Sequence, residues 1–177
     1  MNHLHHREKP RPAAALFACA ATLALLLGHA VPAGAQEQDW QIHPYALGGG
    51  IEMNMAAREG WAHGFSVTLD RHVLNRHIAA GVRGAMGSDF AAVSTVDAGL
   101  YFRLYPWKLG LGGAFTQLEA GLSVYQEEGR QTYTALMDFA AGFRYFFLGG
   151  FYAEAAVRLG HPFIWGVGFT AGHRFSF

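Results

Sequence analysis

Residues 135–147 read Ala135-Leu136-Met137-Asp138-Phe139-Ala140-Ala141-Gly142-Phe143-Arg144-Tyr145-Phe146-Phe147. The odd positions, Ala135, Met137, Phe139, Ala141, Phe143, Tyr145 and Phe147, form one oily face. Asp138, Ala140, Gly142, Arg144 and Phe146 form the other, where charges sit among small residues. Alternation with a period of two is the mark of a β-strand lying between two unlike surroundings. A strand tilted across a bilayer needs roughly 9–11 residues, and this run supplies them.

The same pattern recurs on both sides of this stretch. Leu47, Gly49, Ile51, Met53 and Met55 alternate with Ala46, Gly48, Gly50, Glu52 and Asn54. Phe65, Val67 and Leu69 alternate with Ser66, Thr68 and Asp70. Val82 and Met86 flank Arg83 and Ala85, and Val96, Leu100, Phe102 and Leu104 interleave with Asp97, Tyr101 and Arg103. Leu118, Leu122 and Val124 alternate with Gln117, Glu119 and Ser123, and Phe151, Val157 and Leu159 with Tyr152, Glu154 and Arg158. Val167, Phe169, Phe175 and Phe177 alternate with Gly168, Thr170, Arg174 and Ser176. These runs predict eight antiparallel strands with short connections. Eight is also the smallest even count that closes an outer-membrane barrel.

Composition narrows the class. Of 177 residues, 51% are apolar, 14% aromatic and only 15% charged, with zero formal net charge. A typical soluble protein carries about 25% charged residues. Disorder is excluded by the apolar content, and a nucleic-acid surface by the lack of excess base. Cys19 is the single cysteine, so neither a disulfide framework nor a cysteine zinc site exists. Beyond residue 35 no apolar stretch approaches 18 residues, which excludes a spanning helix there.

The first 35 residues read differently. Arg7, Lys9 and Arg11 precede an apolar run from Ala13 to Leu27, and Val31-Pro32-Ala33-Gly34-Ala35 follows. A basic start, an apolar core and an A-x-A site predict a secretory signal peptide over residues 1–35, cleaved after Ala35, with Ala33 and Ala35 in the peptidase pocket. Residues 36–177 then form one outer-membrane β-barrel domain. Lys108 is the only lysine in it, whereas a wetted surface carries many.

Alternation alone does not say which face is outside. Three features point the oily face toward lipid. The polar face is rich in Gly and Ala, leaving room for long charged side chains in a lumen only just wide enough for side chains to fill. The oily face holds Phe, Met, Leu and Tyr, too bulky for that lumen. The polar face also carries five arginines, Arg83, Arg103, Arg144, Arg158 and Arg174, and five acids, Glu52, Asp97, Glu119, Asp138 and Glu154. Buried charges must be paired, so these ten predict an ion-pair network filling the lumen.

The final stretch Phe169–Phe177, with aromatics at Phe169, Phe175 and Phe177, resembles the terminal signature of bacterial outer-membrane barrels. Residues 36–177 as a whole resemble the small eight-stranded OmpA/OmpX-type barrels, the outer-membrane β-barrel domain family. Arg103-Leu104-Tyr105-Pro106 also looks like a turn segment of that family, while His173 stands where the family usually has an apolar residue. The resemblance implies a bacterial outer-membrane location and lipids as surroundings. It also implies a final strand, with Phe169, Phe175 and Phe177, read by the barrel assembly machinery. Both termini would be periplasmic, with turns near 70–76, 106–112 and 148–150. Outer loops would lie near 57–62, 87–92, 126–132 and 160–165. Trp40, Trp107, Phe147, Phe151 and Phe177 would form an inner aromatic girdle, and Trp61, Phe163 and Trp165 an outer one.

Chemistry finds little support. His63, Ser88, Asp89, Ser94 and His161 fall near the outer rim without a spacing that joins them, and His173 and Ser176, three apart, face opposite sides of a strand. His72 and His77 lack a third ligand for a metal. Gly48-Gly49-Gly50 has no Gly-Lys-Ser and no following helix, so it is a packing feature and not a phosphate loop. Glu127-Glu128-Gly129-Arg130 reads as a solvated hairpin tip. The sequence therefore predicts a monomeric, non-enzymatic protein of structural or membrane-integrity role, without cofactor, metal or nucleic-acid partner. The alternatives are a narrow channel for ions or small solutes and a lipid A-modifying enzyme.

Overall fold

The computed structural model describes residues 44–56, 60–74, 77–89, 93–106, 112–127 and 130–177. Ala33, Ala35, Trp40, Trp107 and the Glu128-Gly129 tip lie outside the described residues. Eight strands follow in chain order: β1 (Tyr45–Ala56), β2 (Gly60–Leu74), β3 (Ile78–Ser88), β4 (Val93–Leu104), β5 (Gly112–Glu127), β6 (Arg130–Phe146), β7 (Phe151–His161) and β8 (Trp165–Phe175). Each pairs antiparallel with its chain neighbour, and β8 returns to β1, closing the barrel.

The alternation read from the sequence sets the inside and the outside. Phe65 is 70% exposed, Leu100 68% and Met137 65%, whereas Arg144 is 0% and Arg174 2% exposed. This inverts a soluble protein, and so large an apolar exterior marks a membrane surface. Every strand keeps its assigned parity: Glu52, Asp70, Arg83, Asp97, Glu119, Asp138, Arg144, Arg158 and Arg174 are all buried inside.

Some boundaries move. The turn expected near 70–76 begins later, because β2 continues to Leu74. Asp70 is consequently inside the barrel and 1% exposed. The outer connections are shorter than expected, with β1 ending at Ala56 and β2 starting at Gly60, and β5 ending at Glu127 and β6 starting at Arg130. The turn at Leu148–Gly150 is a single 3-10 turn in which Gly149 and Gly150 adopt φ of 76° and 81°. Side chains with a Cβ rarely reach that region, and the Phe147 amide donates to the Phe151 carbonyl at 2.8 Å to close the hairpin.

Candidate functional site

The lumen is filled by two joined charge clusters. Toward the end where β1 begins and β8 ends, Arg144 donates through Nη2 to Asp70 at 2.8 Å and through Nε to Glu154 at 2.7 Å. Arg103 grips the same Glu154 with two hydrogen bonds of 2.7 and 2.9 Å, the fork geometry that suits arginine to carboxylates. The Tyr101 hydroxyl donates to Asp70 at 3.1 Å. Aromatic rings pack these guanidinium groups from the side: Arg103 over Phe115 at 4.0 Å, Arg144 over Tyr152 at 4.2 Å and Arg174 over Phe146 at 4.7 Å. Such stacking adds roughly 2 kcal/mol or more when desolvated.

Farther along the lumen, Arg83 binds Glu52 through Nε at 3.1 Å and through its Nη2, and reaches Glu119 at 3.1 Å. Arg158 donates to the same Glu52 at 3.0 Å and also binds Asp138. Asp97 accepts from the Ser123 hydroxyl at 2.6 Å. Gln117 joins the two clusters, because its carbonyl accepts from Arg103 at 2.7 Å and its amide donates to Glu119 at 3.3 Å. Polar contacts therefore run continuously from Asp70 to Asp138.

All ten residues assigned to the lumen from the sequence lie on its inner face. Arg174 meets the aromatic Phe146, and Asp97 meets Ser123, beside the main chain of ion pairs. Asp70 is the residue that sequence reasoning left out of the network. Its parity with Ser66 and Thr68 signalled an inward direction, but the expected turn began on it. Tyr101, Tyr105, Phe115, Phe146 and Tyr152 also fill the lumen. They share the parity of the charged positions, which was the available signal. Glycine makes their space: a Cβ on Gly48 would strike the Tyr152 hydroxyl and Thr170 Cγ2, the latter at 2.8 Å. That accounts for the Gly48-Gly49-Gly50 run as close packing.

Of the other singled-out residues, His63, Ser88, Asp89 and Ser94 gather at one rim, whereas His161 and His72 lie on β7 and β2. His63 pairs with Ser88 across β2 and β3, and Ser88 with Ser94 across β3 and β4. Ser88 donates to the Val93 carbonyl at 3.1 Å, and the Asp89 carboxylate accepts from the Val93 amide at 3.0 Å, so both bind the base of a connection. His161 meets Thr134 at 2.9 Å. His72 is a lumen residue of β2, not part of a turn; it stacks on Tyr105 at 5.5 Å. Among the described residues no three His, Cys, Asp or Glu side chains gather as a metal site.

The aromatic rims are partly as expected. Phe147, Phe151 and Phe177 are exposed at the rim where β1 begins and β8 ends, and there Tyr45 stacks on Phe175 at 5.8 Å and meets Phe177 edge-on at 5.1 Å. On the opposite side Trp61 meets Trp165 edge-on at 4.8 Å. Phe163, expected in that outer girdle, is instead 6% exposed and lies 6.3 Å from Tyr125. The short connection between β7 and β8 turns it inward.

No family model and no curated protein matches the chain. Solved structures do. Neisserial surface protein A (NspA) aligns at a TM-score of 0.57 with 12% identity, covering 75% of this chain and 96% of that one. The N-terminal β-barrel domain of Pseudomonas aeruginosa OprF aligns at 0.53 with 17% identity, covering 75% and 98%. Ail, the attachment invasion locus protein of Yersinia pestis, in complex with the heparin analogue sucrose octasulfate, aligns at 0.54 with 11% identity, covering 76% and 99%. The chain has the fold of these small eight-stranded outer-membrane barrels.

Proposed function

We propose that this protein is an integral barrel of the bacterial outer membrane with a structural, membrane-integrity role and a lumen closed to solutes. One observation carries the reading: the lumen is occupied by interlocked ion pairs and hydrogen bonds that run from Asp70 through Arg144, Glu154, Arg103, Gln117, Glu119, Arg83, Glu52 and Arg158 to Asp138. An eight-stranded barrel has room only for side chains, and these side chains are already bonded to one another. The short outer connections support a barrel that works within the membrane and not through large external loops. Lipid is its surroundings, it acts as a monomer, and Phe169, Phe175 and Phe177 serve the assembly machinery as its docking signal.

Planar bilayers test this reading. The purified barrel gives, at most, small and irregular current. Large, stable single-channel steps from the wild-type protein would establish the channel alternative in its place.

A further inference from the structure

The outward surface of β7, β8 and β1 has a trough. Gly49 pairs with Ala171, and Ala171 with Ala153, so three small residues form one cross-strand row facing outward. Leu47 and Val67 wall the trough on one side and Phe151 on the other, and the open groove holds about 690 Å³.

One end of this groove carries polar groups. His173 lines it, with Nε2 donating to the Gly149 carbonyl at 2.9 Å. One cross-strand pair nearer the same rim, Tyr45 faces both Phe175 and Arg71. The exposed Arg71 guanidinium lies over the Tyr45 ring at 5.4 Å. Among the described outward-facing residues of β7, β8, β1 and β2 there is no acid to answer it.

We propose that this groove seats one acyl chain of an anionic glycerophospholipid, with the phosphate over Arg71. This rests on the reading of the barrel as a membrane-spanning protein. The apolar trough calls for a hydrocarbon chain, and the basic rim calls for an anion at its end. Arginine's fork matches phosphate oxygens. A second copy docked face to face would present the same surface about a two-fold axis. Such a face offers Arg71 of either copy no outward-facing acidic side chain from β7, β8, β1 or β2.

The test is native mass spectrometry of the full barrel in mild detergent, with phosphatidylglycerol and lipid A offered separately. The wild type retains one phosphatidylglycerol. Ala171→Phe fills the trough from outside, and Arg71→Gln removes the charge at its end. Each lowers retention by about tenfold or more, a loss of about 1.4 kcal/mol per decade. Ala120→Phe, outward on β5, leaves retention unchanged. Each variant is first checked for heat-modifiable folded protein, and Ala153→Leu replaces any that does not fold. Equal retention by wild type and all variants overturns the proposal, as does retention of lipid A in preference to phosphatidylglycerol. A dimer that Ala171→Phe dissolves overturns it in favour of a second copy. Current recorded from the same preparations separates the two readings, because a conducting wild type refutes the closed lumen while the lipid count stands on its own.

Discussion

Arg144 shows what a single buried side chain does here. It is fully buried and bonds two acids from different strands, Asp70 on β2 and Glu154 on β7. Taking it away leaves Asp70 with Arg103 no nearer than 3.9 Å. Breaking a buried pair by deleting one partner costs about 3–5 kcal/mol. Arg144→Ala is therefore expected to unfold at clearly lower urea in micelles, and an unchanged midpoint would contradict the network. Arg144→Lys is expected to recover only part of the loss, because a point charge cannot fork between two carboxylates and stack on Tyr152. Much of this was legible from residue parity alone. Asp138, Arg144, Glu154 and Arg158 were readable as inward because their neighbours are oily. The pairing was not legible, since Arg144 and Asp70 are 74 positions apart and only the closed barrel sets them side by side. Asp70 itself was lost to a turn drawn a few residues too early.

At the scale of elements, strands were easier to read than their ends. The oily-polar period holds through each strand, but it fades at the rims, where lipid gives way to water on both faces. At those rims β2 runs on to Leu74, and Phe163 turns inward while its neighbour Ile164 is 50% exposed. The final strand has a consequence of its own. β8 closes the barrel against β1 from Tyr45 opposite Phe175 to Met55 opposite Trp165. Phe177 extends beyond it, 96% exposed, with its ring edge-on to Phe175 at 5.1 Å. A ring so exposed contributes little to the folded barrel, so its loss is expected to act on assembly and not on stability. Deleting Phe177 is predicted to lower the amount of folded, heat-modifiable protein in the membrane. The unfolding midpoint of whatever does fold is predicted to stay near the wild type. Unchanged folded levels would mean the terminal aromatic is not used as a signal.

For the whole molecule, we propose that residues 1–35 act as a leader that is cut from the barrel. Ala33 and Ala35 fit a peptidase that accepts only small residues, so protein taken from outer membranes is expected to begin at Gln36 on N-terminal sequencing. A start at Met1 or Cys19 would refute that processing. The closed ring has a further effect on how the chain gets there. Tyr45 and Phe175 are the first and last strand residues, yet they face each other as cross-strand partners, and Arg158 meets Glu52 across 106 positions of chain. The closing seam and the longest-range ion pairs are not available to a partial product still emerging, because β1 waits for β8, Asp70 for Arg144 and Glu52 for Arg158. Chains whose contacts span long stretches of sequence fold slowly. Such a barrel spends its formation with charges that have not yet met their partners. It then becomes hard to open, since parting any one seam undoes the circle and strands those same charges in oil.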